Sequence, residues 1–537
     1  MKGGSGSAPM VAAHGRSTMS GSSWRGHLLA GMVAMVGFCS WAAAAVAPAE
    51  MAPMEQVGPI PRAVDARLYA RILRVAADAE HRSVSDALGA IKNASKQSRY
   101  AILVAAGTYN ESRIQLKPFV DLYGGFAPGG DWKTRDVYEN ATILDAQKDG
   151  PVVIGADDAR IDGFVITNGH HDGSGGGIIC DGTSPTVVNN IILGNNLPAP
   201  AWLKPPLGKQ AANEGAGIAL LNGSRAYVAN NLICQNTTDA GAGAGITCRN
   251  NVKAKILRNV FANNIAGVRD ETEFHGKKGS RSSPGGAIAV NAASSPQISF
   301  NVIVLGSAPI NNDGGGIWVE GNSAPPINYN WIVGNLSGDD GGGIYVMGNL
   351  YYDEHGERHD LMPDAPVKIE SNLIAGNHTI RGGPGGIRVS RWGRAELLRN
   401  VIVANQGGVA GREGGVITVM HDNVIADNQE DRSQSRPKIR LSGEIASRSF
   451  DQRRYVTEIT VGQDLPAAPQ RRATLHDRER SRLEGAVICV GQQWSVIKSG
   501  PTSANPRTII VWGKITDPAT TFQVLDHYVE SDYVQAE

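Results

Sequence analysis

Two short patterns of apolar and polar positions alternate through the middle of the chain. In one, a glycine cluster precedes two apolar residues separated by one variable position, as at 175–180, 314–319 and 341–346. In the other, an asparagine precedes two apolar residues, two variable residues and a second Asn or Gly. This pattern starts at positions 190, 231, 259, 301, 330, 372, 400 and 423. Each copy is too short to bury a core alone, so the copies must stack on one another.

The apolar positions form uniform columns when the copies are aligned. Each glycine cluster is associated with an isoleucine, at 178, 218, 246, 288, 317, 344, 387 and 417. Such a column predicts an inward-facing stack of strands. The shorter intervals between leading asparagines, from 23 to 29 residues, fit one coil of a parallel β-helix. The asparagines are expected at the corners, because Asn tolerates the left-handed backbone region, and they should stack as amide ladders.

The flanking segments have other patterns. Apolar residues recur at helical spacing between 63 and 94, which predicts a pair of short helices over the first coil. After residue 429 glycine and asparagine become rarer, and alternating apolar runs predict strands. The predicted fold is all-β, a parallel β-helix solenoid with an N-terminal helical segment and a small β-rich C-terminal module. The predicted domains are a signal peptide at 1–47, a helical segment or cap at 48–97, the β-helix at 98–430, and a linker with the C-terminal module at 431–537.

The first 47 residues are predicted to be an export signal. Arg16 and Arg25 precede an apolar run at 28–41, and the following alanines offer small-residue cleavage positions. The alternative is an uncleaved membrane anchor, since the apolar stretch approaches the roughly 20 residues that span a bilayer. With the signal removed, the chain is expected to be secreted, periplasmic or at the cell surface, without membrane insertion.

Charge and cysteine content narrow the classes of partner. Lys plus Arg (51) equals Asp plus Glu (51), so the sequence has no basic excess that would favour nucleic acid. Cys180 and Cys248 fall in an apolar column two coils apart, beyond the reach of a disulfide. No cysteine spacing typical of a metal site is present.

The segments leading into the repeat resemble a known superfamily. Residues 104–111 (VAAGTYNE), 122–126 (LYGGF), 142–145 (TILD) and 161–164 (IDGF) are similar to right-handed parallel β-helix proteins of the pectin-lyase-like superfamily. Within it they look like a secreted bacterial subgroup of unknown function. The resemblance covers roughly residues 98–430 and implies a right-handed solenoid. It implies no particular activity, because one fold supports many functions.

The catalytic patterns of the superfamily's enzymes are not reproduced. Of the polygalacturonase motifs, only the fragment at 338–340 (GDD) has a counterpart. Pectate lyases bind calcium through carboxylates and use an Arg or Lys base, and no local motif identifies these residues.

Acidic residues precede the glycines in four coils, at positions 214, 313, 340 and 413. Asp313 and Asp340 belong to adjacent coils, so their carboxylates are expected on the order of 5 Å apart. Two such charges share a proton, bind a cation or find hydrogen-bond donors. With Asp339 they could supply oxygen ligands for calcium, the only cofactor that the sequence suggests. The alternative is that each carboxylate accepts hydrogen bonds from the N–H groups of its glycine turn.

Turns and insertions between the patterns hold the other candidates. The insertion around 272–281 would supply a base for β-elimination beside a polysaccharide groove. Tryptophans at 202, 318, 331 and 392 could stack on sugars, or pack beneath insertions. The alternative for each charged turn is a solvated surface. The catalytic candidates are Asp339, Asp340, Lys277, Arg381 and His171. The binding candidates are Trp202, Trp318, Trp331 and His275. The metal candidates are Asp313, Asp339 and Asp340.

Two functions remain open at this point. The first is an exported, non-catalytic β-helix that presents a surface to a polysaccharide or cell-envelope glycan. The alternative is a polysaccharide lyase or glycosidase that acts on uronate-containing glycans beside the inserted loops. An enzyme needs a cleft with paired carboxylates or a carboxylate–Arg/Lys pair. A binding protein needs only exposed aromatic side chains and a continuous face.

Overall fold

The computed structural model describes most of the chain after residue 59. The described residues are 47–48, 60–199, 213–267, 283–309, 312–352, 358–381, 383–403, 405–426, 428, 439–451, 456–465, 487–491, 493–501, 505–512 and 514–525. The predicted signal segment, except residue 47, and the insertions with Trp202, His275 and Lys277 lie outside them. Within the described residues, no helix is long and apolar enough to cross a membrane.

Three long parallel sheets form the solenoid, each with one strand from successive coils. Sheet 1 consists of Arg71–Val75, Tyr100–Ala105, Val120–Phe126, Arg160–Asp162, Thr186–Val188, Tyr227–Ala229, Lys255–Leu257, Gln297–Ser299, Ile327–Asn328, Val367–Glu370, Arg394–Leu398 and Val416–His421. Sheet 2 consists of Gly107–Asn110, Thr142–Asp145, Val165–Thr167, Ile191–Leu193, Leu232–Cys234, Val260–Ala262, Val302–Val304, Trp331–Val333, Leu373–Ala375, Val401–Val403 and Val424–Ala426. The third, which we call the glycine sheet, consists of Ile114–Gln115, Val153–Ile154, Ile178–Asp181, Ile218–Leu221, Ile246–Arg249, Ile288–Asn291, Ile317–Val319, Ile344–Met347, Ile387–Ser390 and Val409–Gly411.

Two smaller elements decorate the coils. A short parallel sheet lies between sheet 2 and the glycine sheet along the chain, with strands Asn196–Leu197, Thr237–Thr238, Ile265–Ala266, Ser307–Ala308, Leu336–Ser337 and His378–Thr379. An antiparallel hairpin, Asn349–Tyr352 with Arg358–Leu361, leaves the solenoid after the strand Ile344–Met347.

The predicted isoleucine column of the glycine sheet is confirmed for seven of its eight members. Residues 178, 218, 246, 288, 317, 344 and 387 pair in register on successive strands, and all are fully buried. The eighth assignment is wrong: Ile387 pairs with Val409, whereas Ile417 pairs with Ala395 in sheet 1. The last coil is short, and its strand follows the glycine pair at 407–408 rather than the pair at 414–415. Glu413 therefore does not occupy the acidic position before a glycine strand.

Asparagine ladders run through the interior, as predicted. The Nδ2 of each leading asparagine from Asn190 to Asn400 donates to the Oδ1 of the next, at 2.9 to 3.1 Å, and Asn423 ends the series. A second ladder links Asn195 to Asn264 and resumes from Asn335 to Asn428.

The predicted reason for these asparagines is only partly right. The ladder residues do not adopt the left-handed conformation; the residue before each one does, with φ from 53° to 60°. These preceding residues are at 189, 230, 258, 300, 329, 371, 399 and 422. The ladder amides are instead selected because they accept from, and donate to, backbone groups that the corner turns away from the sheets.

One of the two helices predicted near the N-terminus is a strand. Arg71–Val75 pairs with Tyr100–Ala105, so the solenoid begins before the predicted boundary at residue 98. A 3₁₀ turn, Ala66–Leu68, comes shortly before this strand. The second helix is present as Val84–Ala90; its first N–H groups donate to the Glu111 carboxylate, and its apolar side joins the core. Pairing with a neighbouring strand has overridden the helical spacing of the first segment.

The C-terminal module is β-rich, as predicted. Its six strands are antiparallel and close into a ring through hydrogen bonds: Ile439–Asp451, Val456–Val461, Thr508–Trp512, Gln493–Ser499, Val487–Val490 and Thr521–Leu525. Ala47–Pro48 pairs in parallel with Gln493–Ser499. The predicted boundary near residue 431 falls outside the described residues.

Candidate functional site

The candidate site lies on the outer face of the glycine sheet. In each strand the isoleucine points inward, so the next residue points outward. This outward row contains Ile179, Ala219, Thr247, Ala289, Trp318, Tyr345, Arg388 and Ala410. Its members range from alanine to arginine, in contrast to the uniform inward column.

Sharp turns at the glycine clusters fold the preceding acidic residues over this face. Gly314 and Gly341 have φ of 66° and 61°. A Cβ at Gly314 would lie 2.8 Å from the carbonyl oxygen of Ile317, and one at Gly341 would lie 2.5 Å from that of Ile344. Only glycine allows the chain to turn back this closely.

Three carboxylates converge at these turns. Asp313, Asp339 and Asp340, which we call the acidic cluster, each place an oxygen within 4.8 Å of the others. The backbone N–H of Asp340 donates to Oδ1 of Asp313 at 3.1 Å. This bond is one of the kind expected if the carboxylates only cap the glycine turns, but it leaves most of their lone pairs available.

Burial makes the acidic cluster hard to ionise completely. Burial, and then the charges of Asp340 and Asp339, raise the pKa of Asp313 to about 7. Burial also raises the pKa of Asp340, although the Arg388 guanidinium opposes the shift. A proton or a metal cation would relieve the repulsion among these oxygens.

Arg388 faces the acidic cluster from the next coil. Its Nη2 lies 3.2 Å from Oδ2 of Asp340, and its side chain is 4 % exposed. Its Nε and Nη1 are buried without a hydrogen-bond partner among the described residues. Unsatisfied buried donors are costly, so this environment is suited to an added acceptor such as a carboxylate or water.

Arg391 and Tyr345 border the same region. Arg391 lies close enough to Asp313 to lower its pKa, against the effect of burial, and its Nε lies 3.4 Å from Oε2 of Glu413. Tyr345 is buried beside Arg388 in the outward row, and burial raises the pKa of its phenol. The phenol therefore stays protonated at neutral pH.

A second acidic group lies towards the N-terminal coils of this face. Glu214 is buried, accepts a hydrogen bond from the Thr247 hydroxyl at 3.1 Å, and lies 3.5 Å from Arg249. Burial raises its pKa despite these partners. Burial, and then the charge of Glu214, raise the pKa of Glu320 to about 7. Titratable groups thus extend along several coils.

Of the other predicted catalytic residues, His171 lies far from the acidic cluster. The strand that follows His171 lies five steps from the strand that follows Asp340, which is about 24 Å. The Nε2 of His171 lies 3.1 Å from the Ser174 carbonyl, and burial lowers the pKa of this imidazole. Arg381 is exposed in the turn before the strand that carries Arg388. Lys277 and His275 lie outside the described residues.

Two of the predicted binding tryptophans are buried. Trp318 is 4 % exposed and packs with Ala289, Tyr345 and Met347 on the glycine sheet. Trp331 is 5 % exposed in sheet 2. Neither side chain offers a face for sugar stacking here, and Trp202 lies outside the described residues. In contrast, Trp392 is 45 % exposed.

Sequence reasoning missed Arg388, Arg391 and Tyr345. The available signal was the outward row: a charged residue in a position that other coils fill with apolar or small side chains. Its significance depends on counting coils through insertions of variable length, so the contact with Asp340 was not apparent.

Comparison with known proteins agrees with this architecture. Residues 132–336 match the family described as "Right handed beta helix region". No curated protein and no solved structure matches the chain. With the parallel sheets described above, this match shows that the fold is a right-handed parallel β-helix, which fits the resemblance to the pectin-lyase-like superfamily.

Proposed function

We propose that this protein binds an anionic, uronate-containing polysaccharide on the outer face of the glycine sheet, with a divalent cation held by the acidic cluster. The observation that carries the proposal is the convergence of three carboxylates within 4.8 Å beside the buried, incompletely bonded Arg388. A cation bound by the acidic cluster and the guanidinium of Arg388 would both contact one acidic sugar.

The chemistry of the oxygens favours calcium. Calcium takes six to eight oxygen ligands in flexible geometry. Three aspartates supply only part of that number, so water and substrate carboxylates can complete the shell. A uronate bound to the cation would place its second oxygen where Arg388 and Arg391 attract it.

The repeat geometry supports a polymer rather than a single sugar. Strands recur about every 4.8 Å along the face, and charged side chains occur on it from Glu214 to Arg388. Because Glu214 and Arg388 are themselves buried, an extended glycan would contact the exposed rim of this face, where Asp339 and Trp392 lie. Export through the predicted signal would bring the protein to compartments where these polymers occur.

A second candidate function is β-elimination at the same place. This candidate is supported by the carboxylate–arginine pair of Asp340 and Arg388 at 3.2 Å, a pair of groups that an eliminating enzyme would need. A base removes the C5 proton of the uronate, the electron pair forms the C4–C5 double bond, and the C4–O bond breaks while the leaving oxygen takes a proton. In that case Asp313, whose pKa is raised to about 7 in the absence of a cation, would act as the base instead of holding the metal.

Binding and lyase activity can be separated in one set of measurements. Calorimetry would follow calcium binding, and sedimentation with insoluble polyuronates would follow polysaccharide binding, with and without a chelator. Ultraviolet absorbance of unsaturated products would report elimination. We expect Asp339→Asn to weaken calcium binding and calcium-dependent sedimentation, with His171→Ala as a remote control. Absence of both calcium and polyuronate binding by the unmodified protein would refute the proposal.

A further inference from the structure

The corner after each glycine strand has an unusual occupant in one coil. Two-residue corners adopt positive φ at Asn222–Gly223, Asn250–Asn251 and Ala292–Ala293. The equivalent pair in the coil of Arg388 is Arg391 and Trp392, with φ of 48° and 63°. Small residues, asparagine and glycine suit this conformation, whereas a bulky aromatic residue in it is strained. The sequence therefore keeps a large ring at a position where it is unfavourable for the backbone.

The ring of Trp392 rests on a glycine of the next coil. The backbone N–H of Trp392 donates to the backbone carbonyl of Glu413. This bond aligns Trp392 with Gly414. A Cβ at Gly414 would lie 2.8 Å from Cδ2 and 2.9 Å from Cε2 of the indole. One side of the indole thus lies against a residue that has no side chain, and Trp392 as a whole remains 45 % exposed.

The residue before Trp392 in the same corner is a cation, Arg391. Arg391 is 37 % exposed at its side chain, and its Nε lies 3.4 Å from the Glu413 carboxylate. Its two terminal nitrogens take no hydrogen bond or ion pair within the described part of the chain. Arg391 also acts electrostatically on Asp313, so it connects the corner to the acidic cluster.

We propose that Trp392 and Arg391 form a saccharide subsite, in which the apolar face of an acidic pyranose stacks on the exposed indole and its carboxylate pairs with the guanidinium. An aromatic face satisfies the C–H-rich side of a sugar, and a planar guanidinium suits a carboxylate. The subsite rests on the proposed function and adds to it a sugar-binding position connected to the acidic cluster through Arg391. Charge complementarity selects an acidic sugar over a neutral one.

The test is calorimetric titration of the full chain with oligouronates of defined length and with neutral oligosaccharides of equal length. Trp392→Ala should weaken oligouronate binding by about ten-fold, as truncation of an aromatic anchor does. Tyr227→Ala is the matched control, because Tyr227 is similarly exposed (40 %) on sheet 1; it should leave binding unchanged. Arg391→Gln should reduce the preference for the acidic over the neutral ligand.

A second variant tests the packing of the Trp392 indole against Gly414 without removing the indole. Gly414→Ala places a methyl group against the ring and should weaken binding in the same direction as Trp392→Ala. Thermal unfolding of each variant would show whether the fold is intact.

The outcomes separate the subsite from the proposed function. If the unmodified protein binds oligouronates and Trp392→Ala binds them equally well, the subsite is overturned and the proposed function stands. If only neutral sugars bind, and Trp392→Ala abolishes this binding, stacking is supported while the acidic ligand and the proposed function are overturned. If no saccharide of either class binds, both proposals are overturned.

Discussion

The inward and outward faces of the glycine sheet differ in how strictly their residues repeat from coil to coil. On the inward face, one residue type recurs from Ile178 to Ile387, and every copy is buried against the next. On the outward face, the row beside it changes from Thr247 to Trp318 to Arg388. Repetition on one face gives a rigid spacing of about 4.8 Å. Variation on the other face uses this spacing to bring together residues that are distant in sequence.

The largest expected effect on stability comes from a substitution in the buried interior of the solenoid. Asn330→Ala removes an amide that donates to Ile298 and Asn372 and accepts from Asn301. We expect the free energy of unfolding to fall by about 3 kcal/mol or more, because several buried groups lose partners together. Denaturant titration would measure it, with exposed Asn322→Ala as the control. A loss no larger than that of the control would contradict a stabilising ladder.

The next effect tests the link between stability and charge on the outward face. Asp340→Asn leaves the Arg388 guanidinium buried without its counter-ion, and we expect a loss of about 3 kcal/mol together with loss of cation binding. Asp339→Asn, at a solvent-accessible member of the cluster, should lose cation binding with little change in stability. Calorimetry and thermal unfolding on both variants would check this difference. Equal destabilisation by the two would show that the acidic cluster is merely structural.

A smaller effect concerns pH. The folded-state pKa of Asp313, about 7, lies above its ordinary value, so the folded protein holds this proton more tightly than the unfolded chain. Its stabilising contribution is therefore complete at pH below about 4 and is lost as pH rises to about 7. In the absence of divalent cations, Asp313→Asn should flatten the fall of the unfolding temperature over that window. Cation affinity of the unmodified protein should rise over the same window, because protons compete for the oxygens. An unchanged pH profile in Asp313→Asn would contradict the assignment.

The smallest effect is expected far from the acidic cluster. Phe300 and Tyr329 stack at a corner between sheets 1 and 2, with ring centroids 5.0 Å apart and planes inclined by 4°. Phe300→Ala should lower the free energy of unfolding by about 1 kcal/mol, the value of an aromatic pair. Saccharide binding should not change, since the corner belongs to a different face. A measurable loss of binding would place part of the ligand surface there.

The sequence predicts the inward side of the molecule well because the same physical demand recurs in each coil. Seven isoleucines and both asparagine series follow from pattern alone. Prediction fails where the conformation of a segment depends on contacts that occur in a single coil. The sequence pattern predicts a glycine strand after Gly414, because nothing in the short last coil distinguishes it from Gly407. The strand Arg71–Val75 has helical spacing, and only its partner Tyr100–Ala105 makes it a strand.

The candidate site was predictable in part. Asp313 and Asp340 could be placed together because they follow the repeat. Arg388 contacts Asp340 across a coil whose length is altered by the hairpin after Met347, so no fixed spacing marks the pair. The stacking role of Trp392 depends on Gly414, which carries no signal in one sequence. The positions of residues inside the repeat can be predicted from its period. The contacts of residues outside the repeat become visible only in the three-dimensional structure.

The asparagine ladder makes the two ends of the solenoid chemically different. Every amide donates to the next coil and accepts from the previous one, so its two ends present opposite hydrogen-bonding chemistry. A coil inserted anywhere with its own asparagine would continue both roles, and one lacking it would interrupt the series, as Gly306 interrupts the second ladder. Duplication or loss of whole coils can therefore change the length of the outer face, and hence the length of the glycan proposed to bind there, while the interior chemistry stays the same.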